Sequence, residues 1–201
     1  MLKRILPILL ATLMLFSIPV HAAVYDYFPD VPVDAAYAEA VNCLAALEIV
    51  GGDNKGNFNP NQTITRAEFA TIMVRMMRQE DKATATKTSK FSDVPTTHWA
   101  CGYISVAVEL GLVNGYGNGL YGPSDTLTYE QAVTVLVNML EYSQEAQQAG
   151  GWPNGYIKIA DQLNLTKNTN NLKNKSVSRS IVAILCFNSL SIPPNGWEGS
   201  M

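Results

Sequence analysis

The chain has 201 residues, of which 47% are apolar and 15% are charged, and its formal net charge is −3. This composition excludes a disordered polyelectrolyte, and the scattered basic residues exclude the continuous positive surface that nucleic-acid binding requires. The length allows one compact domain or a small array of repeats and excludes two large domains.

Residues 1–22 have the parts of a secretory signal peptide. Two positive charges precede an apolar run from Ile5 to Phe16, and small residues end the segment at Ala22. The run is too short for a membrane span, which needs about 20 apolar residues. We predict cleavage after Ala22, with Ala23 as the alternative, and an exported chain that has no membrane span after cleavage.

The mature chain is predicted to begin with a helix and a turn-rich loop. Apolar residues recur at helical spacing from Ala35 to Leu47, which predicts a helix with one buried stripe. Residues 51–57 are rich in Gly, Asn and Asp, which favour turns. We expect Phe58-Asn59-Pro60 to cross back in extended form towards a second helix.

The second helix is predicted to start after Thr65. Thr65 and Glu68 have the spacing of a capping box, in which each side chain binds the backbone N–H of the other residue. The sequence then repeats itself with an offset of 63 residues, so that Thr65 returns as Thr128 and Glu68 as Gln131. A fixed offset of this length indicates structural repeats.

A third, more divergent copy spans residues 150–190. Its Trp152 corresponds to Trp99, and its Ser178-Arg179-Ser180 aligns with Thr65-Arg66-Ala67. The copy lacks the Phe-x-Asp-Val opening that the first two copies share. We expect Ser178 still to cap a helix, but without the partner that a full capping box needs.

We predict a mainly α fold in which three helix–loop–helix repeats share the core of a pseudo-threefold helical bundle. One such unit cannot bury its apolar stripe alone, so neighbouring copies must cover one another. The predicted boundaries are residues 24–80 and 91–142 for the first two repeats, 150–190 for the third, and 191–201 for a short tail. The charged, Thr-rich residues 78–90 and the polar residues 141–150 are predicted to be linkers.

In this order, the motifs resemble the S-layer homology family, in three tandem copies behind a signal peptide. The resemblance rests on the two Phe-x-Asp-Val openings, on His98-Trp99-Ala100 and above all on Ile64-Thr65-Arg66-Ala67-Glu68-Phe69. It implies a secreted protein that attaches non-covalently to an anionic, often pyruvylated, secondary cell-wall polysaccharide or to peptidoglycan. It also implies ligand-binding grooves between copies, built here from Arg66, Arg179, Trp99, Trp152, Asp30, Asp93 and Gly115.

The chemistry of these residues fits that implication, although each has a structural alternative. A helix N-terminus favours anions, and the guanidinium of Arg66 can bind a carboxylate through two hydrogen bonds; alternatively, Arg66 pairs with a surface aspartate. Trp99 and Trp152 either lie against a sugar ring or belong to the core. Asp30 and Asp93 either cap the turn after the Phe or touch the ligand.

Two departures from the family pattern limit the expected number of sites. Tyr129 stands where the family prefers Arg, so one groove lacks its guanidinium and is either silent or only stacks a sugar. The third copy keeps Arg179 but has Ser180 and Ile181 in place of Ala and Glu. We therefore expect one site at Arg66 and a second at Arg179.

The sequence gives no indication of a metal, a cofactor or an enzyme. Cys43, Cys101 and Cys186 match no zinc pattern, and they are either buried apolar side chains or one disulfide with a free thiol. Residues 53–57 resemble a calcium loop, but Ile64 stands where a bidentate Glu is required. Hydrolase and phosphate-loop motifs are absent.

One further interpretation stays open beside attachment to the wall. Family members commonly anchor a passenger, and we expect none after the short tail. The protein would then be either a stand-alone wall-binding module or a structural adaptor that holds another exported protein, with self-assembly at the surface as a related case.

Overall fold

The computed structural model describes residues 27–170 and 172–196. The predicted signal peptide and the end of the tail from Trp197 lie outside these ranges. Within them the chain forms helices and isolated backbone bridges but no strand, which confirms the mainly α class. The helices are α1 (Ala38–Ala46), α2 (Arg66–Met76), α3 (Glu80–Ala85), α4 (Cys101–Glu109), α5 (Tyr129–Met139), α6 (Ser143–Gln148), α7 (Asn154–Gln162) and α8 (Arg179–Ser189).

The predicted capping residues start the three longest of these helices. The Thr65 hydroxyl accepts a hydrogen bond from the Glu68 N–H at 3.2 Å, and the Glu68 carboxylate accepts one from the Thr65 N–H at 2.8 Å. Thr128 and Gln131 form the same capping box before α5. Ser178 caps α8 through the Ile181 N–H at 3.4 Å, and the apolar Ile181 returns no bond. These predictions are confirmed.

Two predictions about the connecting segments are wrong. The segments expected to be linkers contain the short helices α3 and α6, which pack on α4 and α7. Gly102 and Gly155 permit this approach, because a Cβ at either position would collide with the carbonyl oxygen of Ala83 or Ala146. Six-residue helices carry too few apolar positions for a periodic signal, so packing rather than pattern defines them.

The segment Phe58-Asn59-Pro60 is not extended throughout, as the sequence had led us to expect. Asn59 has a φ of 59°, in the left-handed region, and Gly122 stands 63 residues later with a φ of 71°. Both residue types tolerate this conformation better than most others. The chain therefore turns at this point, before it reaches α2 and α5.

Three residues that precede α2, α5 and α8 form a closed ring of backbone hydrogen bonds. Ile64 N–H donates to Val177 at 3.1 Å, Val177 N–H to Leu127 at 2.9 Å, and Leu127 N–H to Ile64 at 3.0 Å. All three side chains are buried. Around this ring α2 packs on α4, α5 on α7, and α8 on α1, so the last helix covers the first.

The core holds two of the three cysteines. Cys101 and Cys186 are buried and Cys43 is half-buried, and all three are free thiols, so the disulfide alternative is not found in the described residues. Burial raises the pKa of the Cys186 thiol to about 12. In the part of the chain that the structure describes, no helix is long and apolar enough to cross a membrane.

Candidate functional site

Two equivalent grooves open on the surface where neighbouring helix pairs meet. Groove 1 is lined by Arg66, Asn114, Tyr121, Gln131, Asn138 and Trp152, among others. Groove 2 is lined by Arg179, Gly51, Glu68, Arg75, Tyr103 and Trp99, among others. Asn114, Gln131 and Asn138 stand 63 residues after Gly51, Glu68 and Arg75. The repeat therefore places the same set of positions around both grooves.

Arg66 is held at the floor of groove 1 by the loop 114–122. Its Nε donates to the Tyr121 carbonyl at 2.9 Å and its Nη2 to the Asn114 carbonyl at 2.7 Å. The guanidinium carbon lies 4.5 Å from the centroid of the Tyr121 ring and 4.9 Å from that of Tyr116. With 9% of its surface exposed, Arg66 joins α2 to this loop rather than pairing with a surface aspartate.

Arg179 makes the same contacts in groove 2, with the loop 51–59. Its Nε donates to the Phe58 carbonyl at 2.7 Å and its Nη2 to the Gly51 carbonyl at 2.9 Å, and its guanidinium carbon lies 4.8 Å from the Phe58 ring centroid. Burial lowers the pKa of Arg179, and the nearby carboxylate of Glu68 opposes this shift.

The helix starts beside the two arginines do not offer free N–H groups, and this corrects the expectation of an anion site there. The Arg66 N–H donates to the Asp125 carbonyl at 2.9 Å and the Ala67 N–H to the Pro123 carbonyl at 3.1 Å. The N–H groups of Arg179 and Ser180 are occupied in the same way by the carbonyls of residues 62 and 60. An anion placed at either helix start would therefore meet backbone N–H groups that are already occupied.

Trp99 and Trp152 form the exposed wall of the two grooves. Trp99 is 61% exposed in groove 2 and Trp152 is 62% exposed in groove 1, so the alternative of core residues is wrong. The His98 ring lies 5.8 Å from the Trp99 ring, centroid to centroid, at an interplanar angle of 27°. Each groove thus combines a solvent-facing indole with a guanidinium fixed by backbone carbonyls.

Asp30 and Asp93 hold the loops that carry those carbonyls. Asp30 accepts hydrogen bonds from the N–H groups of Phe58 and Asn59, both at 2.7 Å. Asp93 accepts them from the equivalent residues Tyr121 and Gly122, at 2.9 and 2.7 Å. The two aspartates therefore brace a loop 28 residues later in the chain, which neither of our two alternatives for them included.

Gly115 belongs to the same loop and is required by its packing. A Cβ at this position would lie 2.6 Å from the Leu120 carbonyl oxygen and would collide with the Phe91 ring. In the first copy Asp53 closes the loop, because its carboxylate accepts hydrogen bonds from the N–H groups of Lys55 and Asn57. Hydrogen bonds from Asn59, Asn57 and Lys55 lower the pKa of Asp53 to about 2.

The third equivalent position differs from both grooves. Tyr129 occupies the place of the arginines, is 1% exposed, and its hydroxyl lies 2.9 Å from the Thr169 hydroxyl. Burial raises the pKa of Tyr129. Because its ring is buried, Tyr129 is not accessible for stacking on a sugar. The residue that corresponds to Trp99 in the first copy, 63 residues earlier, is Ala36. This position therefore lacks both the guanidinium and the indole.

Several groove residues were not among those singled out from the sequence. In groove 2, Arg75 Nε donates to Glu80 at 2.9 Å and the Tyr103 hydroxyl donates to the same carboxylate oxygen at 2.6 Å, which lowers the pKa of Glu80. In groove 1, Gln131 and Asn138 line the equivalent wall. The 63-residue offset was the signal that could have identified Gln131 and Asn138 together with Glu68 and Arg75.

Comparison with known proteins assigns a family to two segments of the chain. The model of the S-layer homology domain matches residues 27–70 and 90–133, and it does not match the third copy predicted from the sequence.

Similar proteins come from several bacteria. A cell surface protein of Thermoanaerobacter kivui is 35% identical over 195 residues, which cover 96% of this chain and 25% of that protein. A surface layer protein of Brevibacillus choshinensis is 33% identical over 185 residues, or 91% and 16% of the two chains. A middle cell wall protein of Brevibacillus brevis is 34% identical over 154 residues, or 76% and 14%. The chain spans a quarter or less of the length of these relatives.

Proposed function

Since this chain carries two S-layer homology domains, at residues 27–70 and 90–133, we propose that it is an exported protein that attaches non-covalently to the bacterial cell wall. Its ligand would be an anionic secondary polysaccharide or peptidoglycan. Three relatives named as cell surface, surface layer and cell wall proteins support this location. The proposal assigns the protein binding and no catalysis.

The observation that carries the proposal is the pairing of an exposed tryptophan with a fixed arginine in each of two grooves. Trp152 and Trp99 offer an apolar ring face and an indole N–H, which together suit the face and hydroxyl groups of a sugar. The arginine supplies positive charge to the same groove without having to be ordered when the ligand binds. Such a site fits an acidic polysaccharide better than an apolar peptide.

We further infer that residues 150–190 are a divergent third copy. The helix starts support this, because the backbone N–H groups of Arg66, Tyr129 and Arg179 each donate to the carbonyl of a neighbouring segment. The closed ring of Ile64, Leu127 and Val177 relates the same three helix starts.

The test is co-sedimentation of residues 23–201 with protein-free cell wall of the source bacterium, before and after chemical removal of the secondary polymer. We expect saturable binding that is lost with the polymer. Replacing both Trp99 and Trp152 by Ala should weaken binding by about tenfold or more without unfolding the protein, since both side chains are exposed. Val33→Ala, at a position that is 65% exposed and outside both grooves, is the matched control.

Two results would contradict the proposal. A folded protein that binds neither wall preparation would exclude attachment to the wall and favour an exported protein partner. Full binding by the double tryptophan variant would exclude the grooves as the site.

A further inference from the structure

Building on the proposed function, we propose that the two grooves have different charge preferences, and that the residue three positions into α2 or α5 sets them. Groove 1, with Gln131, binds a carboxylate-bearing sugar, and groove 2, with Glu68, binds an uncharged sugar of the same polymer.

The charges of groove 2 are already paired within the protein. Glu68 uses Oε2 to accept hydrogen bonds from the Thr65 N–H and hydroxyl, at 2.8 and 2.9 Å, and its Oε1 lies 3.8 Å from Arg179 Nη1. Arg75 Nη2 lies 2.9 Å from Glu80. Each guanidinium of this groove therefore has a carboxylate within 4 Å, and an incoming anion would meet the negative charge of Glu68.

Groove 1 presents neutral amides at the same two positions. Gln131 uses Oε1 to accept the Thr128 N–H at 3.0 Å, so its Nε2 takes the place of the carboxylate oxygen that Glu68 turns towards Arg179. Asn138 replaces Arg75. Among the described residues that line groove 1, Arg66 is the one charged side chain. Its positive charge is therefore opposed by no carboxylate in the groove wall.

The more distant carboxylates do not remove this difference, because they occur beside both grooves. Asp93 interacts electrostatically with Arg66, and its counterpart Asp30 does so with Arg179. Asp53 interacts electrostatically with Arg179. On the side of groove 1, the Asp125 carboxylate lies 2.7 Å from the hydroxyl of Tyr116, whose ring centroid is 4.9 Å from the Arg66 guanidinium carbon. Glu68 and the Arg75–Glu80 pair are thus the charges that groove 2 has and groove 1 lacks, and of these Glu68 lies beside the arginine at the helix start.

In groove 1 a ligand carboxylate would meet two kinds of N–H donor. In the part of the chain that the structure describes, neither Gln131 Nε2 nor Arg66 Nη1 has a hydrogen-bond partner, whereas Arg66 Nε and Nη2 are occupied by carbonyls. Hydrogen bonds between charged groups are stronger than those between neutral groups, so this pair of donors favours a carboxylate over its ester.

The two tryptophans make each groove observable on its own. The chain has three tryptophans, and two of their ¹⁵N-labelled indole N–H resonances would report Trp152 in groove 1 and Trp99 in groove 2. The probes are a methyl hexopyranoside that carries a 4,6-linked pyruvate ketal and the methyl ester of the same compound. We expect the acid to shift Trp152 at concentrations about fivefold to tenfold lower than those that shift Trp99. The ester should show no such preference.

The variants Gln131→Glu and Glu68→Gln exchange the two environments. Both variants should fold, because Glu68 and Gln131 each complete a capping box in the native protein. Each variant therefore introduces a capping residue that the protein already uses at the equivalent helix start. Gln131→Glu should remove the preference of Trp152 for the acid, and Glu68→Gln should create one at Trp99. Equal response of both tryptophans to the acid, an ester as effective as the acid, or no effect of the exchange would each overturn the inference.

The resonance shifts and the co-sedimentation together distinguish a failure of this inference from a failure of the proposed function. If the acid shifts neither resonance while the protein still sediments with intact wall, the charge preference is refuted and attachment to the wall stands. If sedimentation is also absent, both fail.

Discussion

Replacing Arg66 by Ala should destabilise the fold as well as any complex with a ligand. The guanidinium donates to the carbonyls of Asn114 and Tyr121 and is 9% exposed, so the substitution leaves two acceptors without their donors. Hydrogen bonds to a charged group contribute about 1.5–3 kcal/mol each, so the loss of two gives an expected destabilisation of about 3–6 kcal/mol. This is a large part of the 5–15 kcal/mol typical of a small domain.

The measurement is urea unfolding of the wild type and the variant at pH 7, followed by circular dichroism. Arg75→Ala is the matched control, because Arg75 pairs with Glu80 near the surface and such a pair contributes about 0–1 kcal/mol. An Arg66→Ala protein with the stability of the control would refute the structural role of the guanidinium. With the expected loss, weaker wall binding by this variant would not by itself identify Arg66 as a ligand contact.

Three other substitutions or treatments test the loops and the core. Gly115→Ala should cost about 1–3 kcal/mol in thermal or urea unfolding because its Cβ would collide with Phe91. Gly51→Ala, in open space at the other groove, should change stability by less than about 0.5 kcal/mol, and equal effects would contradict the packing argument. Burial raises the pKa of Asp93, but hydrogen bonds from the Tyr121 and Gly122 N–H groups outweigh this effect, so the pKa lies below its ordinary value. Stability should therefore decrease as the pH falls below about 4, less steeply in Asp93→Asn, and identical pH profiles would exclude this carboxylate as the cause. A thiol reagent should modify Cys43 in the native protein and all three cysteines after unfolding, so native labelling of the two buried thiols would contradict the described core.

Local signals in the sequence predicted the helix starts, and the repeat predicted which positions are equivalent. Thr65 with Glu68 and Thr128 with Gln131 specify their helices through contacts over three residues, so composition and spacing suffice. The roles of the arginines could not be predicted in this way. The acceptors of Arg66 lie 48 and 55 residues away and are backbone carbonyls, which any residue type provides.

Contacts with distant parts of the chain are also the reason why the roles of the aspartates and the presence of the short helices could not be predicted. The acceptor role of Asp30 depends on a loop 28 residues later, and α3 and α6 depend on glycines in the helices that they cover. A motif shared with a family marks such residues as important without distinguishing a ligand contact from a loop brace. The exposure of Trp99 and Trp152 could not be predicted either. An aromatic residue near a helix start can lie in the core or on the surface, and only the packing of the whole chain determines which.

The backbone hydrogen bonds that join Ile64, Leu127 and Val177 close into a ring rather than forming an open row. In an open solenoid the terminal units need polar caps, and more units can be added at either end. Here α8 covers α1, and Arg179 reaches back 121 residues to Phe58, so each helix pair already has two neighbours. A fourth pair could not be appended without opening the ring. A longer protein built from this unit would gain further grooves by adding whole rings rather than by enlarging one.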